Sequence, residues 1–431
     1  MNTYSSYKDS GIEWIGEIPS EWNIVKTKYM TSPRKELSDS GKEELLSVSE
    51  YLGVIPRSVI RKGKGSLSRS ESLIGYLKVY KGDLVNNIML MWKKGLGVSQ
   101  YDGIVSPAYS VFNFIESVPS YYHYLYRTDR YITEFRKNST GVIMSRLRLY
   151  DDDFGDIPSV IPPLQEQQQI VDYLDKKTSK IDKLIEKTEQ KIELLKEQRT
   201  SLINTTVTKG LDPNVEMKDS GVDWIGEIPS GWILVSIKRL CSIKRGSSPR
   251  PIDNPDYFDV NGEFSWVRIA DVSSSERYLE NTKQQLSELG SSLSTKRYPG
   301  DLFLSIAGTV GKPIITKIKC CIHDGFVWFD GLSINQEFLY YVFSVGQCFK
   351  GLGKMGTQLN LNTDTVGLVK IPLMDIQEQQ EIVDYLDKET SKIDKLVDIE
   401  SKRIILLKEY RQTLISEVVT GKVDVRNEVL V

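Results

Sequence analysis

The sequence is poor in the features that mark membrane, exported and metal-binding proteins. No stretch approaches about 18 uncharged apolar residues, and the opening residues contain no apolar signal region, so neither a membrane span nor export is expected. The chain has two histidines, and its four cysteines (Cys241, Cys320, Cys321 and Cys348) show no paired framework. We therefore predict no metal site, and the thiols fit a reducing cytoplasm.

The chain also lacks a strong net charge. Its 56 Lys+Arg and 58 Asp+Glu leave a formal charge of −2, which by itself gives no sign of a nucleic-acid partner. The charges are unevenly distributed, however, because residues 23–157 hold 20 Lys+Arg against 15 Asp+Glu, and residues 233–370 hold 16 against 13. These modest basic excesses favour a polyanionic partner for both regions.

An internal repeat organises the 431 residues, which are too many for one ordinary core. Lys8–Trp22 returns as Lys218–Trp232 with 12 of 15 positions identical, and Gln165–Ile185 returns as Gln377–Val397 with 18 of 21 identical. The residues between these segments show no comparable match. We call the repeated parts the frame, and the two regions 23–157 and 233–370 the first and second modules. The frame is expected to perform one task twice, and the modules two different tasks.

The second repeated segment begins a long helix in each copy. Prolines precede both helices, and Gly210 and Gly421 follow the last periodic residues as C-caps. Apolar residues at heptad spacing predict a coiled-coil seam on two helices of about 40–45 residues, interrupted at Thr188 and its repeat equivalent Glu400. The predicted seam residues are Leu174, Ile181, Ile185, Ile192, Leu195, Leu202, Leu386, Ile393, Val397, Ile404, Leu407 and Leu414.

Chain continuity favours antiparallel helices. Parallel helices would require residues 210–232 to travel back about 60–68 Å, close to the ~75 Å that 23 extended residues can reach. These residues carry tryptophans and isoleucines that are typical of folded chain. Antiparallel packing places the modules at opposite ends, relates the copies by a pseudo-two-fold axis and brings residues 8–22 near residues 421–431.

The sequence thus divides into four predicted parts. Residues 1–157 form the first module with the N-terminal repeat segment, and residues 158–210 form the first spacer helix. Residues 211–370 form the linker repeat segment with the second module, and residues 371–431 form the second spacer helix and a C-terminal tail. The predicted fold class is α+β, with two mixed α/β modules separated by two long antiparallel coiled-coil helices.

These motifs resemble a known family. The repeated Trp-Ile-Gly-Glu-Ile-Pro segment, the Ile-Pro-Pro-Leu-Gln-Glu-Gln entry to a long helix and the Val-Thr-Lys-Gly or Val-Thr-Gly-Lys exit are similar to those of the specificity subunit of type I restriction–modification enzymes. Gly82–Met89 with Tyr101–Tyr109, and Gly246–Pro249 with Pro299–Thr309, resemble two types of target-recognition domain. The resemblance covers essentially the whole chain, in the family's order.

The resemblance implies a non-catalytic DNA-recognition subunit in the cytoplasm of a bacterium or archaeon. Each module would be a target-recognition domain that reads one half of an interrupted double-stranded site, and the helices would set the gap. Two adenine-N6 methyltransferase subunits, and in the full complex two restriction/translocase subunits, would be the protein partners. No cofactor is expected in this chain; S-adenosylmethionine, ATP and Mg²⁺ would belong to the partner subunits.

Basic residues near glycines are the candidate DNA contacts of the first module. Cations neutralise phosphates and glycine allows close backbone approach, so Arg57–Arg69 is a candidate loop. A second basic group includes Arg127 and Arg130 and extends to Arg148. The alternatives are a solvated loop and a charged helix face, respectively. The candidates are Arg57, Arg61, Lys62, Lys64, Arg69, Lys93, Lys94, Arg146 and Arg148.

The second module offers a basic loop and a run of amides. Arg bridges guanine O6 and N7, and Asn or Gln bridges adenine N6 and N7. Amide side chains also cap turns, and the sequence does not separate base readers from phosphate anchors. The candidates are Lys244, Arg245, Ser247, Ser248, Arg250, Arg268, Lys354, Gln358, Asn360 and Asn362.

No catalytic constellation is predicted. Asn254-Pro-Asp-Tyr257 departs from the amino-methyltransferase motif at its third residue, and Gly308-Thr-Val-Gly-Lys-Pro313 lacks the spacing of a phosphate-binding loop. Two other functions remain open at this point. One is the recognition subunit of a related enzyme that cuts on both sides of its site. The other is a structural coiled-coil spacer that joins two protein-binding modules.

Overall fold

The computed structural model describes residues 2–60, 73–141, 147–352 and 361–428, without the side chain of Ile60. The chain forms two compact units, Met1–Glu189 with Lys402–Val431, and Gln190–Ser401. Among the described residues, no helix is both long and apolar enough to cross a membrane.

The first unit contains short antiparallel strands. They are β1 (Tyr7–Asp9), β2 (Glu17–Pro19), β3 (Asn23–Lys26), β4 (Thr31–Pro33), β5 (Leu46–Ser49), β6 (Gly53–Pro56), β7 (Leu77–Val79), β8 (Leu84–Asn87), β9 (Leu96–Val98), β10 (Gly103–Val105), β11 (Tyr109–Phe114) and β12 (Pro158–Ile161). The largest sheet has the order β4-β11-β8-β9, and the other strands pair as β1–β2, β3–β12, β5–β6 and β7–β10.

Helices cover the sheets of the first unit and lead out of it. They are α1 (Arg57–Ile60), α2 (Pro119–Leu125), α3 (Asp129–Lys137), α4 (Asp151–Asp156) and the long α5 (Leu164–Lys209), with 3₁₀ turns at Thr27–Tyr29 and Met91–Lys93. Aromatic side chains of α2 and α3 fill the core, where Tyr121, Tyr122 and Phe135 are fully buried. Large aromatic rings remove much apolar surface from water, which stabilises so small a module.

The second unit has a larger set of strands. They are β13 (Met217–Asp219), β14 (Glu227–Pro229), β15 (Ile233–Ser236), β16 (Ser242–Arg245), β17 (Phe264–Val267), β18 (Tyr278–Leu279), β19 (Gln284–Leu286), β20 (Thr295–Arg297), β21 (Leu302–Ser305), β22 (Pro313–Thr316), β23 (Cys320–Ile322), β24 (Phe326–Asp330) and β25 (Lys370–Leu373). Two sheets have the orders β16-β24-β21-β22-β18 and β19-β17-β23-β20, and β13–β14 and β15–β25 are pairs.

The helices of the second unit are short except for the last. They are α6 (Ile269–Ser274), α7 (Glu288–Ser292), α8 (Gln336–Ser344), α9 (Thr363–Leu368) and α10 (Ile376–Val419), with 3₁₀ turns at Ile237–Arg239, Pro255–Tyr257 and Gln347–Phe349. The final residues of α10 belong to the first unit, as the last residues of α5 belong to the second. The strands pair mainly antiparallel; β17 with β23 and β18 with β22 are parallel.

The segments of α5 and α10 run antiparallel, as the sequence predicted. In the second unit, Lys191 pairs with Glu400 and Arg199 with Asp394, so residue numbers fall on one helix as they rise on the other. In the first unit, Arg411 Nε lies 2.9 Å from Asp182 Oδ1. All twelve predicted seam residues are buried or half-buried. The buried Glu400 interrupts the apolar seam, and its carboxylate lies 2.5 Å from Lys191 Nζ.

The same hydrogen bonds attach each module to its long helix. Gln167 donates to Pro162 O and accepts from Val118 N at 2.9 Å each, while its repeat equivalent Gln379 donates to Met374 O at 3.0 Å and accepts from Asn335 N at 2.9 Å. Val118 and Asn335 are the N-caps of α2 and α8. Each module thus places a helix N-terminus on a buried glutamine.

A second repeated contact lies six residues farther along each module. Tyr124 OH donates to Asp175 at 2.6 Å, and Tyr341 OH donates to Asp387 at 2.5 Å. Asp175 and Asp387 are equivalent in the repeated helices, whereas the tyrosines belong to modules with no sequence match. The modules have therefore kept the residues that hold them on the frame.

The modules also share a core that the sequence comparison did not reveal. The strand order β4-β11-β8-β9 of the first corresponds to β16-β24-β21-β22 of the second, and the pair β7–β10 corresponds to β20–β23. The turn before β8 and β21 is the same, with Gly82 and Gly300 at φ +95° and +97°. Asp83 accepts from Tyr80 N at 2.8 Å, and Asp301 accepts from Tyr298 N at 2.9 Å. Long-range backbone pairing fixes this core, so few side chains had to be retained.

Glycines close both ends of the frame. Gly210 and Gly421 follow α5 and α10 at φ +77° and +73°, the left-handed C-cap that the sequence predicted. A methyl group on Gly421 would lie 2.4 Å from Pro19 Cδ and 3.1 Å from Trp22 Cη2, and one on Gly210 would lie 3.1 Å from Trp232 Cζ2. The first repeated segment therefore packs on a helix end in each unit. In the first unit this packing places the N-terminal segment beside the C-terminal tail. Asn2 and Asp424 form an isolated antiparallel β-bridge there.

We predict that Gly421→Ala destabilises the first unit much more than Gly11→Ala. Both glycines adopt nearly the same positive φ, +73° and +72°, but only Gly421 has atoms in the path of a new methyl group. Gly11→Ala should cost about 1 kcal/mol of unfolding free energy for the backbone alone, and Gly421→Ala about 2–4 kcal/mol because overpacking is added. Urea unfolding followed by tryptophan fluorescence measures both. Equal losses would contradict the packing of Gly421 on Pro19 and Trp22.

Candidate nucleic-acid interface

The basic loop of the second module is fixed against the β23–β24 turn. Gly246 N donates to Phe326 O at 3.0 Å, and Ser247 N donates to Ile322 O at 3.1 Å. A methyl group on Gly246 would lie 2.2 Å from His323 O, so glycine is required for this close approach. Ser247 Oγ also hydrogen-bonds Thr295 Oγ1 at 2.9 Å. The loop after β16 is therefore a defined surface, and Ser248 lies half-buried within it.

The cations at the end of β16 and in the following loop are exposed, and two of them contact Asp324. Arg245 Nε donates to Asp324 O at 2.5 Å, and Arg250 Nη2 lies 3.2 Å from Asp324 Oδ2. Lys244 pairs with Asp330 at 2.5 Å, on the neighbouring strand. These ion pairs are exposed to solvent, so they contribute little to stability and their cations are available to another anion.

Arg268 lies at the end of β17, beside the β23–β24 turn that this loop contacts. The parallel strands β17 and β23 pair Val267 with Ile322, which places the next residues, Arg268 and His323, side by side. Arg268 is exposed and is the N-cap of α6. The structure therefore brings together Arg245, Ser247, Arg250 and Arg268, four of the candidates that the sequence had placed in separate segments.

Asn362 has a structural role. Its side-chain oxygen accepts from Thr365 N at 2.8 Å and caps α9. A bidentate adenine contact needs both the oxygen and the nitrogen of the amide, so this conformation does not offer one. The other candidates of this run, Lys354, Gln358 and Asn360, lie outside the described residues.

In the first module three of the described candidates lie at the loop after β8. Lys93 is exposed, with Nζ 4.8 Å from the Trp92 ring centroid, and Lys94 pairs with Asp129 at 2.8 Å. Leu149 N donates to Ile88 O at 3.0 Å, which places the exposed Arg148 beside the same loop. This loop follows the strand equivalent to β21. Arg57 is exposed at the start of α1, and Arg61, Lys62, Lys64, Arg69 and Arg146 lie outside the described residues.

Two arginines of the second basic group donate hydrogen bonds to backbone carbonyl groups. Arg127 donates to the carbonyl oxygens of Lys94, Leu96 and Glu50 at 2.9, 2.6 and 2.6 Å. Burial lowers the pKa of Arg127 to about 10, which leaves the guanidinium charged at pH 7. Arg130 donates to Ile15 O at 3.1 Å, in the repeated segment. Sequence spacing shows cations but not the carbonyl groups that will surround them.

Asp324 is a further candidate that the sequence did not indicate. Cations and amides are the typical DNA contacts, so a carboxylate in the His-Asp-Gly turn gave no signal. The turn dipeptide Asp324-Gly325 between two buried strands did indicate that the Asp324 side chain would be exposed.

The described residues offer little to a metal ion or to thiol chemistry. Among them no group of three or more His, Cys, Asp or Glu could hold a metal ion. Cys320 and Cys321 are buried in β23, and burial raises the pKa of both thiols to about 12, so they remain protonated. The exposed polar groups at the sheet ends are instead cations, hydroxyl groups and a carboxylate, which hydrogen-bond to phosphates and base edges.

We predict that Arg127→Gln destabilises the first unit and that Arg148→Gln does not. Arg127→Gln removes the charged donor that three backbone carbonyl groups share, one of them in the buried residue Leu96, which should cost about 3 kcal/mol of unfolding free energy. Arg148 is exposed, so its replacement should change stability by less than about 0.5 kcal/mol while weakening DNA binding. Urea unfolding and a binding titration separate the two effects. A stable Arg127→Gln protein would contradict the structural role.

Comparison with known proteins identifies the family of this chain. The type I restriction modification DNA specificity domain matches residues 19–194 and 229–412. The type I restriction enzyme MjaVIII specificity subunit of Methanocaldococcus jannaschii is 23% identical over 440 residues, covering 95% of each chain. The MjaIX specificity subunit of the same organism is 26% identical over 188 residues, 42% of this chain and 41% of its own.

Solved structures show the same fold. A chain from a type I R-M system, studied for complex assembly and conformational transition, has a TM-score of 0.73 at 19% identity and covers 94% of this chain and 99% of its own. The HsdS subunit from Thermoanaerobacter tengcongensis has a TM-score of 0.56 at 19% identity, with 98% and 100% covered. Because the family model spans both modules and most of the frame, this chain belongs to the type I restriction–modification specificity family and is a DNA sequence-recognition subunit rather than an enzyme.

Proposed function

We propose that each module reads one half of an asymmetric, bipartite DNA site and that α5 and α10 set the gap between the halves. One observation carries the proposal: equivalent frames hold two modules with the same core sheets and different loops at the sheet ends. A shared core presents loops in the same way, and different loops contact different bases. Two unlike readers on one frame predict a target whose halves differ.

The candidate contacts support a local rather than a global attraction to DNA. Each module has a small excess of basic residues, and its described candidates lie on loops at the sheet ends. Residues at such a surface can reach phosphates and base edges together. We take residues 1–157 and 211–370 as the two recognition domains, and residues 158–210 and 371–431 as the spacer parts.

We further propose that the frame docks two copies of one methyltransferase subunit. Leu184 and Leu396 are repeat equivalents and both are 43% exposed; Leu194 and Leu406 are repeat equivalents and both are 63% exposed. The first unit therefore exposes Leu184 and Leu406 on its helices, and the second unit exposes their equivalents Leu396 and Leu194. Repeated exposed apolar residues favour the same partner contact in both units.

The proposed complex contains two kinds of partner subunit. Two methyltransferase subunits bind the frame, and two restriction/translocase subunits join them in the full assembly. S-adenosylmethionine, ATP and Mg²⁺ belong to those subunits, in the cytoplasm of a bacterium or archaeon. This chain contributes the choice of DNA site to both methylation and restriction.

Selection from random duplex DNA tests the two-reader proposal. The chain, co-purified with its methyltransferase subunits, should enrich two unlike half-sites separated by a constant gap. Replacing residues 23–157 with the first module of another family member should change one half-site and leave the other half and the gap unchanged. A change in both halves, or enrichment of a single uninterrupted motif, would sink the proposal.

Paired substitutions on the frame test the docking proposal. Leu184→Glu with Leu396→Glu should abolish co-purification of the methyltransferase, because each places a charge in an apolar contact, whereas Leu184→Glu alone should leave one methyltransferase per chain. The exposed Lys183→Glu with Lys395→Glu, at neighbouring repeat-equivalent positions, is the control. Light scattering measures the mass of each complex. Undiminished stoichiometry in the double leucine variant would refute this surface.

A further inference from the structure

The β23–β24 turn holds the carboxylate of Asp324 in a defined place. Phe326 N donates to His323 O at 3.1 Å, and Gly325 N donates to His323 Nδ1 at 2.8 Å. The imidazole ring also lies against Phe326 and Trp266, with centroid separations of 4.6 and 5.9 Å. Backbone and ring contacts on both sides thus fix the turn that carries Asp324.

Arg250 reaches this carboxylate from a second anchored segment. Tyr257 OH donates to Arg250 O at 3.0 Å, and Arg250 Nη2 lies 3.2 Å from Asp324 Oδ2. The side chains are 77% and 45% exposed, so the pair contributes little to folding. A guanidinium group has five N–H donors, and one contact to Asp324 leaves donors free for a further ligand.

Phosphate binding alone does not explain this arrangement. The neighbouring Arg245 and Arg268 are suited to the DNA backbone, but the exposed carboxylate of Asp324, which Arg250 contacts, repels phosphate. A carboxylate at a DNA surface finds a favourable partner in an exocyclic amino group of a base. The pairing of Asp324 with Arg250 therefore points to the base edges rather than the backbone.

The pair of side chains has the pattern of one particular base pair. In the major groove a G·C pair presents two acceptors, guanine N7 and O6, followed by one donor, the cytosine N4 amino group. An arginine fork beside a carboxylate presents two donors followed by one acceptor. An A·T pair alternates acceptor, donor and acceptor and then presents a methyl group, so it does not match.

We propose that Arg250 and Asp324 together read one G·C base pair in the half-site of the second module. Arg250 donates to guanine O6 and N7, and Asp324 accepts from cytosine N4. The inference rests on the proposed function, since it assigns one base pair within a half-site that the second module is proposed to read.

The test measures base preference at every position of the selected site. Random-DNA selection is performed with the full chain and its methyltransferase subunits, using the wild type, Asp324→Ala and Arg250→Ala. Each variant should lose preference at the same G·C pair by about tenfold or more, with other positions unchanged. Because Asp324→Ala removes a negative charge and no phosphate contact, its affinity for non-specific DNA should rise.

Glu263→Ala provides the matched control. Glu263 forms an exposed ion pair with Lys319 at 2.5 Å, and both residues immediately precede β17 and β23, at the end of these strands opposite to Arg268 and His323. Its replacement should leave all base preferences unchanged. Urea unfolding of all variants shows whether the fold is retained, and equal midpoints are expected because both ion pairs are exposed.

The outcomes separate the two levels of the proposal. A wild-type complex that enriches no bipartite motif contradicts the proposed function itself. A wild-type motif whose preferences persist in Asp324→Ala overturns the inference alone. A uniform loss of affinity in Asp324→Ala also overturns the inference, because a merely structural role would weaken binding without affecting one G·C position. Altered preference at an A·T pair overturns it too.

Discussion

A buried glutamine at the first turn of each long helix holds a recognition module to the frame. Gln167 and Gln379 each donate to the chain that enters the helix and accept from the first backbone N–H of a module helix. An amide buried without partners costs several kcal/mol, about 2–7, so both hydrogen bonds must form together. This requirement fixes where α2 lies on α5 in the first unit and where α8 lies on α10 in the second.

The modules illustrate how a fold survives when its sequence does not. The shared sheets depend on backbone pairing, on glycine at a left-handed turn and on one aspartate that satisfies a free N–H. The tyrosines that contact Asp175 and Asp387 complete this small set. The loops at the sheet ends are not needed for the shared sheets or for the attachment to the frame. They can change with the DNA target while the attachment to the frame stays the same.

The sequence predicted the parts of the molecule in which local signals and repetition agree. Proline, glycine and heptad signals predicted both long helices, and α5 and α10 extend over Leu164–Lys209 and Ile376–Val419. The common core of the modules was not predicted, because strand pairing between distant segments leaves little trace in side-chain identity.

The candidate interface shows the same limit. Four candidates come together only because the loop after β16 and the end of β17 both lie at the β23–β24 turn. Arg127 proved structural because carbonyl groups of two separate segments, Glu50 and Lys94 with Leu96, accept hydrogen bonds from it. The sequence did not indicate Asp324, because the residues that neutralise phosphates are cations. Chemistry that depends on a partner residue cannot be inferred from one residue type alone.

A formal charge of −2 is low for a DNA-recognition chain, and the difference between binding DNA and selecting a sequence explains it. Binding to any duplex depends on the number of phosphates that are neutralised, whereas choosing a sequence depends on the difference between right and wrong bases. Many cations would strengthen both kinds of complex and leave that difference small. In the proposed half-site, a few exposed arginines, one of them paired to a carboxylate, would attract the backbone weakly and require a matching base edge. The low net charge is therefore consistent with selectivity, because a weaker hold on random DNA allows contacts with the bases to decide where the protein remains.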